Sequence, residues 1–183
     1  MATRIDVLNA STLAGLQWEG ILRTLREVFG VPAAVVPIEL DFRGPYDSVR
    51  RQVSSTALLA QILDRGAPAA LKQIGVVNVD LFMPVLTFVF GEAQLSGTAA
   101  IVSTRRLANE FYGLPRDDAL MLRRLEKEIV HELGHTFGLY HCRQFECVMR
   151  SSTYVEEIDL KKAVPCGRCS EAIRLHPAQS GGV

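Results

Sequence analysis

His131 and His135 stand four residues apart with Glu132 between them, and this H-E-x-x-H spacing combines residue types that can do chemistry together. On an α-helix the two imidazoles project from one face and can grip a common ion. Glu132 then lies where it can polarise a metal-bound water without being a ligand itself. Catalytic zinc takes three protein ligands and keeps a fourth position for water, so a third donor is required, and His141 is the natural candidate. Gly138 makes that donor reachable: glycine adopts positive φ cheaply, and a helix that stops there turns the chain sharply and carries His141 back towards the other two. H-E-x-x-H alone is equally compatible with two surface histidines on an amphipathic helix. The full run H-E-L-G-H-T-F-G-L-Y-H over residues 131–141, with glycine and third histidine at the required spacing, points instead to a zinc site for metal-assisted hydrolysis.

A second set of ligand-type side chains follows at once. Cys142, Cys147, Cys166 and Cys169 are all the cysteines of the chain, and they fall in its last quarter as two close pairs joined by a loop. Four thiolates around a tetrahedral ion form a closed structural zinc site. The C-x-x-C spacing of Cys166 and Cys169 is the usual one, whereas Cys142 to Cys147 is wider, so a redox dithiol at 166/169 or a disulfide stays open on spacing alone. Neighbours in extended chain point to opposite sides, so His141 and Cys142 can serve two adjacent metals. His176, the remaining histidine, reads as a solvated tail residue.

Elements must position these groups. Pro115, Asp117 and Asp118 mark a helix start, and Leu122, Leu125, Ile129, Leu133 and Phe137 recur every three or four residues as its buried stripe towards Gly138. Upstream, alternation over Arg4 to Asn9 predicts a half-buried strand, and Ile21, Leu22, Leu25 and Phe29 a helix over Trp18 to Phe29 ending at Gly30. Val31 to Leu40 predicts a strand. Val49, Val53, Leu58 and Ile62 predict a helix over Asp47 to Asp64, with Gly66 beyond it. Ile74 to Phe82, Leu86 to Gln94 and Thr98 to Thr104 are three more strand candidates, separated by Pro84 and by Leu95 to Gly97. Past Gly138 periodicity fades into a Cys-, Arg-, Ser- and Glu-rich segment with a Gln179 to Val183 tail.

The zinc run, with Met149 downstream, carries the metzincin signature of zinc peptidases. Cys142 directly after the third histidine, Cys147 after a gap of four, Met149 two residues later and the Cys166-Gly167-Arg168-Cys169 pair resemble the archaemetzincins in particular. The match is good over Lys127 to Cys169, weaker but present in Phe88 to Ala93 and Ala99 to Leu107, and slight in the first 70 residues. The resemblance implies an α/β (α+β) metzincin-like fold: a mixed, twisted five-stranded sheet with backing helices and an active-site helix, then a small zinc-stapled C-terminal subdomain. It implies a single metallopeptidase domain over 1–183, divided at 138/139, with two zinc ions, one catalytic and one structural. Met149 would be the hydrophobic base under the three imidazoles; taken alone, such a methionine is more often a gap-filling core residue. Several metzincin groups have a tyrosine two residues after this methionine, but here that position is Ser151. Tyr154 is nearby, and no second electrophile is assigned.

Composition narrows the partners. The 183 residues are 48% hydrophobic and 22% charged, enough for one core-forming domain that needs no metal merely to fold. Twenty basic and twenty acidic residues leave no global field for nucleic acid or anionic membranes. Arg143, Arg150, Lys161, Lys162, Arg168 and Arg174 lie around the cysteines, but Glu146, Glu156, Glu157 and Glu171 offset them, giving a solvated mixed surface rather than a zinc-ribbon nucleic-acid module. Met1 to Asn9 lacks a secretory pattern, so a cytoplasmic protein is expected, and Val76 to Phe90 is too short and too interrupted to span a membrane. A peptide or protein substrate, a zinc-activated water, Glu132 as base and acid, and a monomer are the expectation. Phe88 to Gln94 is the candidate edge strand for substrate, with Gly91 allowing close approach there or serving as a simple bulge. The alternative is a non-catalytic zinc protein in which both metals serve folding or partner binding.

Overall fold

In a computed structural model, described over residues 4–11, 16–66 and 70–175, a five-stranded sheet divides two layers of helix. His176 and the 179–183 tail lie outside the described residues. The sheet contains β1 (Ile5–Asn9), β2 (Ala33–Pro37), β5 (Lys72–Val77), β7 (Gly91–Ala93) and β8 (Ala99–Ser103) in the order β2-β1-β5-β8-β7. The first four neighbours run parallel, and β7 pairs antiparallel with β8 through Gly91↔Val102, Glu92↔Ile101 and Ala93↔Ala100. All five predicted strands are present, in the mixed sheet expected.

Helices α1 (Trp18–Phe29) and α3 (Asp118–Thr136) cover one face of this sheet, and α2 (Ser55–Arg65) covers the other. Strand residues divide accordingly. Ile5, Val7, Ile74 and Val76 pack with α1 and α3, while Leu8, Val77 and Ile101 pack with Leu58 and Ile62 of α2. The half-buried reading of Arg4 to Asn9 is therefore corrected: Ile5 to Leu8 are all buried, Asp6 included, because a parallel strand is covered on both sides. Arg4 Nε donates to Asp6 Oδ1 at 2.5 Å and satisfies the carboxylate.

Three other segments differ from expectation. Asp47 to Asp64 is not one helix: residues 46–54 form two short strands, β3 (Tyr46–Asp47) and β4 (Gln52–Ser54), and α2 begins only where the Ser54 hydroxyl accepts from Ala57 N. Val49, assigned to the buried stripe, is 92% exposed at the hairpin tip. The Asp47 side chain accepts from the Val49 and Arg50 amides, offering the backbone a turn in place of a helix. Likewise Ile74 to Phe82 divides into β5 and β6 (Leu81–Phe82), and β6 joins β3 and β4 in a second, three-stranded sheet. Leu86 to Gln94 contracts to β7, preceded by a lone bridge between Leu81 and Val89.

Helix α3 starts as its sequence predicts, with the Asp117 side chain accepting from Leu120 N. Leu125, Ile129 and Leu133 have no exposed surface, and burial of such side chains stabilises by about 1.5–3 kcal/mol each. Beyond α3 lie α4 (Val155–Asp159) and α5 (Gly167–Leu175), which pack on α3 and α1 respectively. Among the described residues no helix is long and apolar enough to cross a membrane.

Candidate active site and metal centres

The C-terminal end of α3 closes with the Schellman pattern. Leu139 N donates to Gly134 O at 3.0 Å, Gly138 N donates to His135 O at 2.9 Å, and Gly138 sits at φ 86°. Lys72 Nζ, from β5, adds donors to Thr136 O at 2.8 Å and Gly97 O at 2.6 Å, neutralising the carbonyl-rich helix end. The chain thus leaves the helix sharply, and His141 returns to the two helical histidines. Ring centroids of His131, His135 and His141 lie 4.8 to 5.3 Å apart, with their nearest ligand nitrogens all within 4.8 Å of one another.

Hydrogen bonds decide which nitrogens face inward. Val148 O accepts from His131 Nδ1 at 2.8 Å, and Leu139 O accepts from His135 Nδ1 at 2.7 Å. A carbonyl only accepts, so both Nδ1 atoms carry the proton and both Nε2 atoms present lone pairs. Those two Nε2 atoms face each other at 3.2 Å. Two lone pairs at that separation repel unless a cation lies between them. Two nitrogens bound tetrahedrally at about 2.05 Å from zinc would stand about 3.3 Å apart, so the donor set fits the ion. Burial first, and the nearby Lys161 charge second, hold His131 well below the ordinary 6.5; burial also lowers His135 and His141. Neutral imidazoles are the form that binds metal.

Glu132 is buried beside them and lines a cleft of about 280 Å³. One wall is the irregular segment Leu86 to Gly91, which leads into β7; the other is the α3 face of Glu128, His131 and Glu132 with Ser151 to Thr153. Desolvation, and then the Glu128 charge, push the Glu132 carboxyl well above the ordinary range. The role expected of Gly91 is sharpened: a Cβ there would stand 2.6 Å from Ile101 O and 2.7 Å from Glu132 Cγ and Oε1. Its bareness makes room inside the protein for the carboxylate. Beyond it, Glu92 accepts from Ser55 Oγ and Thr56 Oγ1, tying β7 to the start of α2.

Met149 lies fully buried beneath this end of α3, and any Cβ on Gly134 would collide with its sulfur. Met149 O accepts from Cys142 N at 2.9 Å, so the loop carrying His141 and the segment under the histidines are one fastened unit. Ser151 lines the cleft, whereas Tyr154 is exposed at the start of α4.

Cys142, Cys147, Cys166 and Cys169 are unpaired, with all four sulfurs within 4.8 Å of one another. Cys142 and Cys166 Sγ stand 3.8 Å apart, too far for a disulfide and matching the separation of about 3.8 Å set by tetrahedral Zn–S bonds of about 2.3 Å. Burial pushes the Cys142 thiol up, but the Gln144 amide and the Arg168 guanidinium outweigh it and bring it to about 7. Burial raises Cys147 and Cys169, and neighbouring thiols raise them further. Four such groups become thiolates together only around a cation, so this set also fits zinc.

Sequence reasoning missed one pair. Lys161, counted with the solvated basic residues, has a side chain only 1% exposed. Its Nζ donates to Glu128 Oε1 at 3.2 Å and to Arg150 O at 3.0 Å, joining the active helix to the segment after Met149. No spacing rule signals that contact, which spans 33 residues. With Lys162 paired to Glu146 and Arg168 turned to Cys142, the basic cluster is not a free surface.

Known proteins resemble this chain in both sequence and fold. The sequence model of peptidase family M54 matches residues 45–175. An archaemetzincin of Thermococcus kodakarensis is 41% identical over 133 residues, 72% of each chain. The crystal structure of archaemetzincin from Methanopyrus kandleri superposes with a TM-score of 0.84 at 32% identity, covering 96% of this chain and 95% of that one. A zinc-dependent peptidase from Methanocorpusculum labreanum superposes with a TM-score of 0.81 at 30% identity, covering 92% and 99%.

Proposed function

Because this chain belongs to peptidase family M54, the archaemetzincins, we propose that His131, His135 and His141 hold its catalytic zinc and that Glu132 is the general base. The observation that carries this reading is the pair of deprotonated Nε2 atoms facing each other at 3.2 Å, fixed by carbonyls behind them. A zinc ion held there supplies the Lewis acid that makes water nucleophilic near neutral pH and steadies negative charge on the carbonyl oxygen.

The chain's own groups do the rest. Glu132 orients the attacking water and takes one of its protons as the water oxygen bonds to the peptide carbon. It then returns that proton to the amine nitrogen as the C–N bond breaks, so that one carboxylate serves as base and acid. Its burial suits the second task, because desolvation favours the protonated form. Val148 O and Leu139 O keep the two imidazoles in one tautomer and orientation. Substrate lies extended along the cleft against the outer edge of β7, where backbone pairing takes any peptide without reading its sequence.

Cys142, Cys147, Cys166 and Cys169 hold a second, structural zinc, giving two ions per chain within one domain whose parts are 1–138 and 139–183. A cytoplasmic protein with peptide rather than nucleic-acid partners completes the reading. Glu132→Gln tests it: zinc per chain, by elemental analysis, is retained, and chelator-sensitive turnover of a peptide library disappears. Undiminished turnover in that variant refutes the assignment.

A further inference from the structure

A second cavity, of about 620 Å³, opens on the side of the β3–β4 hairpin. Arg43, Arg50, Arg51 and Arg105 line it, with Phe42 and Tyr46. None of these four arginines forms a salt bridge among the described residues. Asp80, a carboxylate on the same wall, is already held by Arg106 through Nε and through Nη2 at 2.8 Å. Four arginines without an acidic partner among the described residues thus line one concavity in a chain whose net charge is zero.

All four are exposed, and two of them are held in place by aromatic rings. Arg50 lies over the Phe82 ring at 4.7 Å and donates to Leu86 O at 3.0 Å, and Arg105 lies over Phe111 at 5.4 Å. Arg51 sits at φ 56°, a left-handed conformation that a non-glycine residue adopts at a cost. The stacked guanidinium forks of Arg50 and Arg105 match the paired oxygens of a phosphate. The volume is far larger than one phosphate needs and falls in the range of small-molecule sites, and Phe42 with half-exposed Tyr46 offers an apolar, aromatic face.

We propose that this cavity binds a small phosphorylated molecule carrying a planar ring, of the nucleoside-phosphate class. The zinc cleft is a separate site, and neither Arg43 nor Arg51 lines it. Calorimetric titration of the zinc-loaded protein with ADP, adenosine, inorganic phosphate and hexaglutamate tests the proposal. ADP binds saturably and more weakly as salt rises, with adenosine and phosphate each at least about tenfold weaker. Arg43→Ala and Arg51→Gly each weaken ADP about tenfold, a loss of about 1.4 kcal/mol. Glycine relieves the strained φ at position 51, so Arg51→Gly keeps or raises the Tm while it loses ligand, a combination that misfolding cannot produce. No saturable ADP binding, ADP binding unchanged in both variants, phosphate binding as tightly as ADP, or hexaglutamate binding more tightly than ADP each overturns it.

Discussion

Gly91→Ala adds one methyl group at the most crowded point of the cleft. The new Cβ would stand 2.7 Å from Glu132 Cγ and Oε1 and 2.6 Å from Ile101 O, against an ordinary contact of 3.4 Å or more. Ile101 O belongs to β8, an interior strand paired on both sides, and yields little, so the edge strand β7 must give way at residue 91 and the Glu132 side chain must also retreat by about 0.7 Å. A misplacement of about 1 Å at a reacting group costs about a hundredfold in rate, so kcat should fall about ten- to a hundredfold, or about 1.4–2.7 kcal/mol of barrier. Overpacking should cost about 1–3 kcal/mol of stability, less about 0.4–1 kcal/mol regained from the stiffer unfolded chain. Peptide turnover, zinc per chain and Tm measured on one preparation separate these effects. Zinc should stay, because no histidine is touched. Full turnover with an unchanged Tm would refute the crowding argument, and loss of zinc in step with activity would move the fault from the base to the ligands.

Three further outcomes are expected. Lys161→Met alone should destabilise by about 3–5 kcal/mol, since it strands the buried Glu128 carboxylate, whereas Lys161→Met with Glu128→Leu should come within about 1 kcal/mol of the parent; equal losses in single and double variants by denaturant titration would contradict this. Cys166→Ser should lower zinc per chain and also weaken the hold on the catalytic ion in a chelator competition, and unchanged activity with one zinc bound would count against the coupling. In chelator-stripped protein, Glu132→Gln should be more stable than the parent at neutral pH. Burial raises the folded-state pKa of Glu132 above its ordinary 4.5, so its contribution is intact below that pH and lost as pH rises through the raised value. The variant's advantage must therefore grow with pH, and an advantage that grew on acidification would reverse the sign.

The histidine run and its helix were legible because they rest on local rules: i, i+4 spacing sets His131 and His135 on one face, and Gly138 announces the turn. The clustering of the four cysteines was legible because they are all the cysteines of the chain and fall as two close pairs. Boundaries set by competing local hydrogen bonds were not. Val49 and Val53 keep helical spacing, yet the Asp47 side chain turns the chain before any helix can form. Contacts that depend on the folded arrangement were also invisible. Gly134 and Gly91 are bare because Met149 and Glu132 press on them, and the Lys161–Glu128 pair needs α4 to swing beneath α3. A lysine in a mixed-charge stretch carries no mark of burial.

The fastening of Cys142 to Met149 has a consequence for the ribosome. In the proposed two-ion arrangement, a growing chain has all three histidines 25 residues before Cys166, yet the segment that holds His131 and His141 in place waits on Cys166 and Cys169. In that arrangement the histidine site is fully braced only once Cys166 and Cys169 have joined Cys142 and Cys147, so hydrolysis would follow assembly of the second centre rather than precede it.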